Sequence, residues 1–240
     1  KYIRRELSAV IEEAYRYFSV ITVTGPRQSG KTTLIRNLFP HLPYYSLENL
    51  DVRSFAENDP VAFLNQHAEG MILDEVHNAP NLLSYIQGMV DDDADRRFIL
   101  SGSSQFAMLK RITQSLAGRT AVFELLPLSY SEIREIASDT PLDHLLLDGF
   151  YPAIYSGRNV PKFLYPAYMK TYLDKDVRDL LQIKDMMQFH TFIRLCAGRI
   201  GSLFKASELA NEIGISSHTV TAWLSVLQAS YIVALLPPYF

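Results

Sequence analysis

Gly25-Pro26-Arg27-Gln28-Ser29-Gly30-Lys31-Thr32 spells GxxxxGK[ST] between the apolar run Ser19-Val20-Ile21-Thr22-Val23-Thr24 and the helix-like Thr33-Leu34-Ile35-Arg36-Asn37-Leu38. A strand before and a helix after give this spelling its mechanism. Backbone N–H groups can curl around phosphate oxygens only where no Cβ intrudes, and Gly25 and Gly30 stand at the two ends of the turn. A helix starting near Lys31 turns its unsatisfied N–H groups and positive dipole end towards an anion. Lys31 reaches β- and γ-phosphates, and the Thr32 hydroxyl ligates Mg²⁺. The candidate nucleotide-binding set is therefore Gly25, Pro26, Arg27, Gln28, Ser29, Gly30, Lys31, Thr32 and Thr33.

A phosphate loop alone serves kinases, GTPases and motors, so the next requirement is a carboxylate at the end of a second apolar strand. Met71-Ile72-Leu73-Asp74-Glu75 supplies it. Strand ends of a parallel sheet share an edge, which brings Asp74 towards the loop. Asp74 is the candidate metal carboxylate beside Thr32, and Glu75 is placed to orient or deprotonate a water attacking a γ-phosphate. The Asp-Glu pair points to ATP hydrolysis coupled to movement. A further strand, Arg97–Leu100, leads into Ser101-Gly102-Ser103-Ser104-Gln105. Ser103 or Ser104 is a candidate γ-phosphate sensor, with capping of a helix over 105–111 as the alternative. Arg119, just before the fifth strand, is either a charge for the transition state or a surface arginine.

Working outward, apolar strands recur at Val20–Thr24, Pro43–Leu47, Met71–Leu73, Phe98–Leu100 and Ala121–Leu125. Helical patterns alternate with them at Lys31–Leu38, Pro60–Gln66 (with Asp59 as N-cap) and Pro80–Val90, and an amphipathic stretch, Leu7–Tyr17, precedes the first strand. The alternation specifies a parallel α/β sheet with helices on both faces. Beyond Ser131 the apolar spacing turns helical, at Glu132–Ala137, Leu142–Leu147, Phe163–Leu181 and Met186–Ala197. This divides the 240 residues into a P-loop NTPase domain over 1–136, a helical region over 137–200 and a helix-turn-helix module over 201–240. Apolar residues make up 48% of the chain and the net charge is −3, so no global basicity advertises nucleic acid or an anionic membrane. One cysteine, Cys196, and the lack of a signal-peptide pattern or an 18-residue apolar run lead to the expectation of a soluble, cytoplasmic protein without a membrane partner. The acidic run Asp91-Asp92-Asp93-Ala94-Asp95 reads as a solvated turn.

These words together resemble a prokaryotic branch of the AAA-type ATPases: bacterial and archaeal proteins that join a P-loop domain to a C-terminal winged-helix region of unknown function. The resemblance rests on residues 25–33, on Leu-Asp-Glu-Val-His at 73–77 and on Ser-Gly-Ser-Ser-Gln at 101–105. Leu-Ala-Gly-Arg at 116–119, Leu-Leu-Pro-Leu-Ser at 125–129 and Tyr172–Leu180 add to it. It implies ATP and Mg²⁺ as ligands and the roles given above for Lys31, Thr32, Asp74 and Glu75. The wider class places Asn or Thr at the sensing position, where this chain has Ser, and takes an arginine from a neighbouring subunit. That leaves Arg119 acting in its own subunit, across a self-association interface, or not at all. Members often continue into a nuclease-like fold, and no such segment is recognisable here.

Ser207 to Val220 fits a helix-turn-helix, with Ala210 at the crossing and Gly214 at the turn. Tyr231–Leu236 reads as the first strand of a wing, and with no returning strand before Phe240 the module is expected to be truncated. A DNA-reading helix carries Lys or Arg, yet Ser216–Ala229 has neither. His218, Thr219, Thr221 and Ser225 are the DNA-contact candidates, behind a protein-contact or structural role. The expected function is Mg²⁺-dependent ATP hydrolysis with the C-terminal region responding to nucleotide state. The alternative is a nucleotide-dependent switch or DNA-associated regulator with little turnover.

Overall fold

A computed structural model describes residues 2–102, 112, 115–171 and 185–237. Ser103, Ser104, the expected 105–111 helix and Tyr172–Leu180 lie outside these residues. The chain forms two compact units, 1–160 and 161–240.

The first unit is built on five parallel strands: β1 (Val20–Thr24), β2 (Tyr44–Ser46), β3 (Gly70–Asp74), β4 (Arg97–Gly102) and β5 (Thr120–Glu124), in the spatial order β2-β3-β4-β1-β5. β1 and β3 are buried at every position. That explains their unbroken apolar spelling, because a parallel strand covered on both faces has no reason to alternate. Side chains of successive residues go to opposite faces, so the sheet has two cores. Val20, Met71, Leu73, Phe98 and Leu100 pack against α3 (Leu50–Asn58), α4 (Pro60–Leu64) and α5 (Leu82–Asp92). Ile21, Val23, Ile72 and Ile99 pack against α1 (Leu7–Ala14) and α2 (Lys31–Leu38).

Local signals account for the helix starts. Asp59 caps α4 by accepting from the N–H of Ala62 (3.0 Å), with Pro60 in the first turn. Asn49 caps α3 by accepting from Asp51 and Val52, a helix the sequence reading passed over. After β5, Ser129 and Glu132 form a reciprocal capping box at the start of α6 (Tyr130–Ile136). α7 (Leu142–Asp148) and α8 (Pro152–Tyr155) follow within the first unit. Leu128, Ile133 and Leu145 make a small core there with Phe150 and Tyr155. Residues 137–160 thus fall within the first compact unit.

The second unit contains α9 (Pro161–Tyr168), α10 (Met186–Ala197), α11 (Ala206–Ile213) and α12 (Ser217–Ala229). Its core joins Phe189, Phe192, Leu209, Val220, Trp223 and Leu227, with Phe189 and Trp223 edge to face at 5.2 Å. Gly214 ends α11 at φ 79° and Ser216 caps α12, so a short turn joins the two helices. The expected wing strand at Tyr231–Leu236 is not formed. The Leu227 carbonyl accepts from the N–H groups of Ile232 (2.9 Å) and Val233 (3.4 Å), so the chain turns back onto the helix end with donors a strand would need elsewhere.

Candidate functional site

The phosphate loop joins β1 to α2 at the carboxyl edge of the sheet. Gly25 has φ 140°, and a Cβ there would lie 2.2 Å from the Leu125 carbonyl oxygen, so only glycine lets the loop pass the end of β5. Gly30 starts α2 in the left-handed region at φ 97°. Among the described residues three non-glycines have positive φ, and two of them, Gln28 (64°) and Glu75 (53°), are in this site. Strained backbone is concentrated where the candidate chemistry is.

The Lys31 ammonium is buried and donates to the carbonyls of Gly25 (3.0 Å) and Pro26 (2.8 Å), folding over its own loop. Burial pushes its pKa down, more than the negative charges of Glu75 and Asp74 raise it. A buried ammonium whose hydrogen bonds go to two loop carbonyls fits an anionic ligand. Ser29 Oγ, fully buried, has no hydrogen-bond partner among the described residues. Pro26 is buried, while Arg27, Gln28 and Thr33 are exposed on the rim.

Asp74 is the hub. It ends β3, and the register places it beside Ser46 on β2 and, one step past Leu73↔Leu100, beside Ser101 on β4. Its Oδ2 accepts from the hydroxyls of Thr32 (2.7 Å) and Tyr44 (2.7 Å), and its Oδ1 accepts from Ser101 Oγ. Three hydroxyl donors thus converge on one buried side chain. Burial, reinforced by the bond to Asp74, pushes the Tyr44 phenol well above its ordinary pKa, so it stays a donor. The Arg36 guanidinium covers the Tyr44 ring at 4.7 Å. Glu75 sits next in the chain, and its Oε2 is 3.1 Å from His77 Nδ1 on the one-turn 3₁₀ helix Val76–Asn78.

The structure thus brings together Gly25, Ser29, Gly30, Lys31, Thr32 and Asp74, with Glu75 following Asp74 in the chain. It does not bring Arg119. That residue precedes β5, its carbonyl accepts from the Val20 N–H at the start of β1, and its guanidinium grips the Asp91 carboxylate through Nε (2.5 Å) and Nη2 (2.8 Å). It therefore lies at the opposite edge of the sheet, a five-residue strand or roughly 16 Å from the loop. Of the openings left for Arg119, a surface arginine or action across an interface fits this placement, and the acidic run has its first carboxylate in an ion pair. Sequence reasoning missed Tyr44 and Ser101. Ser101 opens a quoted motif, but only the register shows that it, on β4, faces Asp74.

The strand order adds the deciding feature: β4 lies between the strand before the loop and the strand carrying Asp-Glu. A model described as an AAA domain matches residues 17–134, and one described as a domain of unknown function matches residues 139–240. The Walker-type ATPase PABY2304 of Pyrococcus abyssi superposes with a TM-score of 0.58 at 14% identity, covering 95% of this chain and 90% of that one. The first unit has a P-loop NTPase fold. Uncharacterised proteins of Mycobacterium tuberculosis and Mycobacterium bovis are each 30% identical over 246 residues, which is 99% of this chain. The chain spans 54% of their length. Among the described residues no helix is long and apolar enough to cross a membrane.

In the second unit, the polar face offered for DNA is largely spent on its own helix. Thr221 Oγ1 donates to the Ser217 carbonyl (3.0 Å), Ser225 Oγ donates to the Thr221 carbonyl (2.9 Å), and Thr219 Oγ1 shares a bond with Ser216 Oγ (2.8 Å). His218 remains exposed.

Proposed function

We propose that the chain binds ATP with Mg²⁺ at residues 25–33 and hydrolyses it to ADP and phosphate, the second unit responding to nucleotide state. The observation that carries this reading is the 2.7 Å bond between the Thr32 hydroxyl and Asp74, which are 42 residues apart in sequence and meet where the motifs require a metal. Thr32 Oγ1 and the Asp74 carboxylate would hold the ion, with Tyr44 and Ser101 fixing the carboxylate's orientation. Bound Mg²⁺ supplies neutralising charge to the β- and γ-phosphates. The loop N–H groups and the buried Ser29 hydroxyl take phosphate oxygens. Lys31 exchanges the Gly25 and Pro26 carbonyls for the β- and γ-phosphates. Glu75 orients a water in line with the γ-phosphorus and takes its proton as the new P–O bond forms and the bond to the β-phosphate oxygen breaks. Ser103, two residues beyond Ser101, is assigned the γ-phosphate contact on sequence alone.

Nucleotide binding measured with and without Mg²⁺ tests the metal assignment. Wild type should bind ATP more tightly with Mg²⁺. Asp74→Asn should keep the Mg²⁺-free affinity and lose most of that increment. An undiminished increment in Asp74→Asn would remove Asp74 from the metal site.

The rival reading, a nucleotide switch or DNA-associated regulator with little turnover, draws on the His77 ring, whose Nδ1 lies 3.1 Å from Glu75 Oε2 and crowds the carboxylate needed for the water. Partners then include protein, DNA or a second copy of the chain acting through the C-terminal module.

A further inference from the structure

Arg5, on the segment before α1, is 6% exposed and hydrogen-bonds through all three guanidinium nitrogens. Nε donates to Glu132 Oε1 (3.0 Å), and Nη1 donates to the Ser29 carbonyl inside the phosphate loop (2.9 Å). Nη2 donates to the carbonyls of Leu126 (2.7 Å) and Pro127 (3.1 Å), just past β5. Glu132 is 4% exposed and equally committed. Its Oε1 also accepts from the Glu6 N–H (2.8 Å), and its Oε2 accepts from the Ser129 N–H (2.8 Å) as half of the capping box. One buried ion pair thus ties the amino-terminal segment, the phosphate loop, the Leu125–Ser129 stretch and α6 into a single polar knot.

The contact with Ser29 is the consequential one. The Ser29 carbonyl and the Gly30 N–H belong to one planar trans peptide and point in opposite directions, so holding the oxygen fixes the direction of the N–H. The Gly30 φ of 97° leaves that peptide without the steric restraint a side chain gives. Arg5 Nη1 lies 3.8 Å from where a Gly30 Cβ would stand, close enough to brace the turn from outside.

We propose that Arg5 is a positioning residue for the phosphate loop, with Glu132 as its counter-charge: together they hold the Ser29–Gly30 peptide in the orientation that receives a phosphate oxygen. The proposal rests on the loop being the nucleotide site and holds whether or not the chain turns ATP over. Lysine cannot replace the fork, because an ammonium cannot meet four acceptors spread over the plane of a guanidinium. Glu132→Gln keeps one acceptor oxygen, enough for the Glu6 N–H or the Ser129 N–H but not both, and removes the charge that holds Arg5.

A second buried arginine provides the control. Arg96, 9% exposed, precedes β4 at the other edge of the sheet. It donates to Asn65 Oδ1 (2.9 Å) and to the carbonyls of Leu64 and His67, the same chemistry away from the loop. The experiment measures ADP and inorganic tripolyphosphate binding to the full chain, below the melting transition of each variant. Arg5→Lys and Glu132→Gln should each weaken both ligands about tenfold, by a similar factor because the loop touches phosphates and not the base. Arg96→Lys should lower the melting temperature and leave both affinities unchanged. Wild-type affinity in Arg5→Lys and Glu132→Gln, or an equal loss in Arg96→Lys, would overturn the proposal while the loop reading stands. A wild type that binds neither ligand would overturn both.

Discussion

At Asp74 three hydroxyls from α2, β2 and β4 converge on one carboxylate. Only Thr32 was legible in advance, because its role is written into the loop motif. Tyr44 and Ser101 were not, since their relation to Asp74 depends on strand order and register, which local spelling does not encode. Arg119 is the reverse case. Its neighbourhood resembles a motif, yet a residue just before a strand of this sheet lies at the edge away from the loop. Arg119→Ala should therefore leave ATP turnover per chain within about twofold of wild type, since it removes only an exposed ion pair. A loss of two orders of magnitude in a steady-state phosphate-release assay would return the residue to the site, across an interface.

The elements were legible in proportion to their burial. β1 is found at Val20–Thr24 as its apolar run specified, because a strand covered on both faces leaves a continuous signature. α3 is amphipathic, nine residues long and exposed on much of its surface, and its clearest signal was the single cap Asn49. The wing failed because Tyr231–Leu236 is apolar enough for a strand while the helix end captures its first donors. Two glycines give a contrasting pair of predictions at this scale. Gly70 starts β3 at φ 105°, and a Cβ there would lie 1.7 Å from the Arg97 carbonyl oxygen, far from the loop. Gly70→Ala should lower stability by at least about 1–3 kcal/mol in denaturant titration, with the folded fraction still binding nucleotide. Gly25→Ala, whose Cβ would strike Leu125 at the loop itself, should lose nucleotide affinity as well as stability. Equal ADP affinity in Gly25→Ala and wild type would contradict the close approach.

For the whole molecule, helices beyond Ser131 were apparent, but their allegiance was not. Contacts of Leu145, Phe150 and Tyr155 with Leu128 and Ile133 draw residues 137–160 into the first unit, and such contacts are non-local. Separate cores predict separable stabilities. Calorimetry of the full chain should show ADP raising the transition of the first unit, while Trp223→Ala, which truncates a ring packed on Phe189 and Phe192, lowers that of the second by about 3–5 kcal/mol. A single transition moved equally by both would show that the units unfold as one.

The central claim is that this loop and this Asp-Glu pair hydrolyse ATP. It is tested most directly by phosphate release from Mg²⁺-ATP by wild type, Lys31→Ala and Glu75→Gln, with ATP binding measured on the same samples. The account predicts turnover in wild type only. Glu75→Gln should keep ATP affinity and lose about 10²–10⁴-fold in turnover, while Lys31→Ala should lose binding and turnover together. Turnover in Glu75→Gln equal to wild type, or tight ATP binding by a wild type that releases no phosphate, would contradict it.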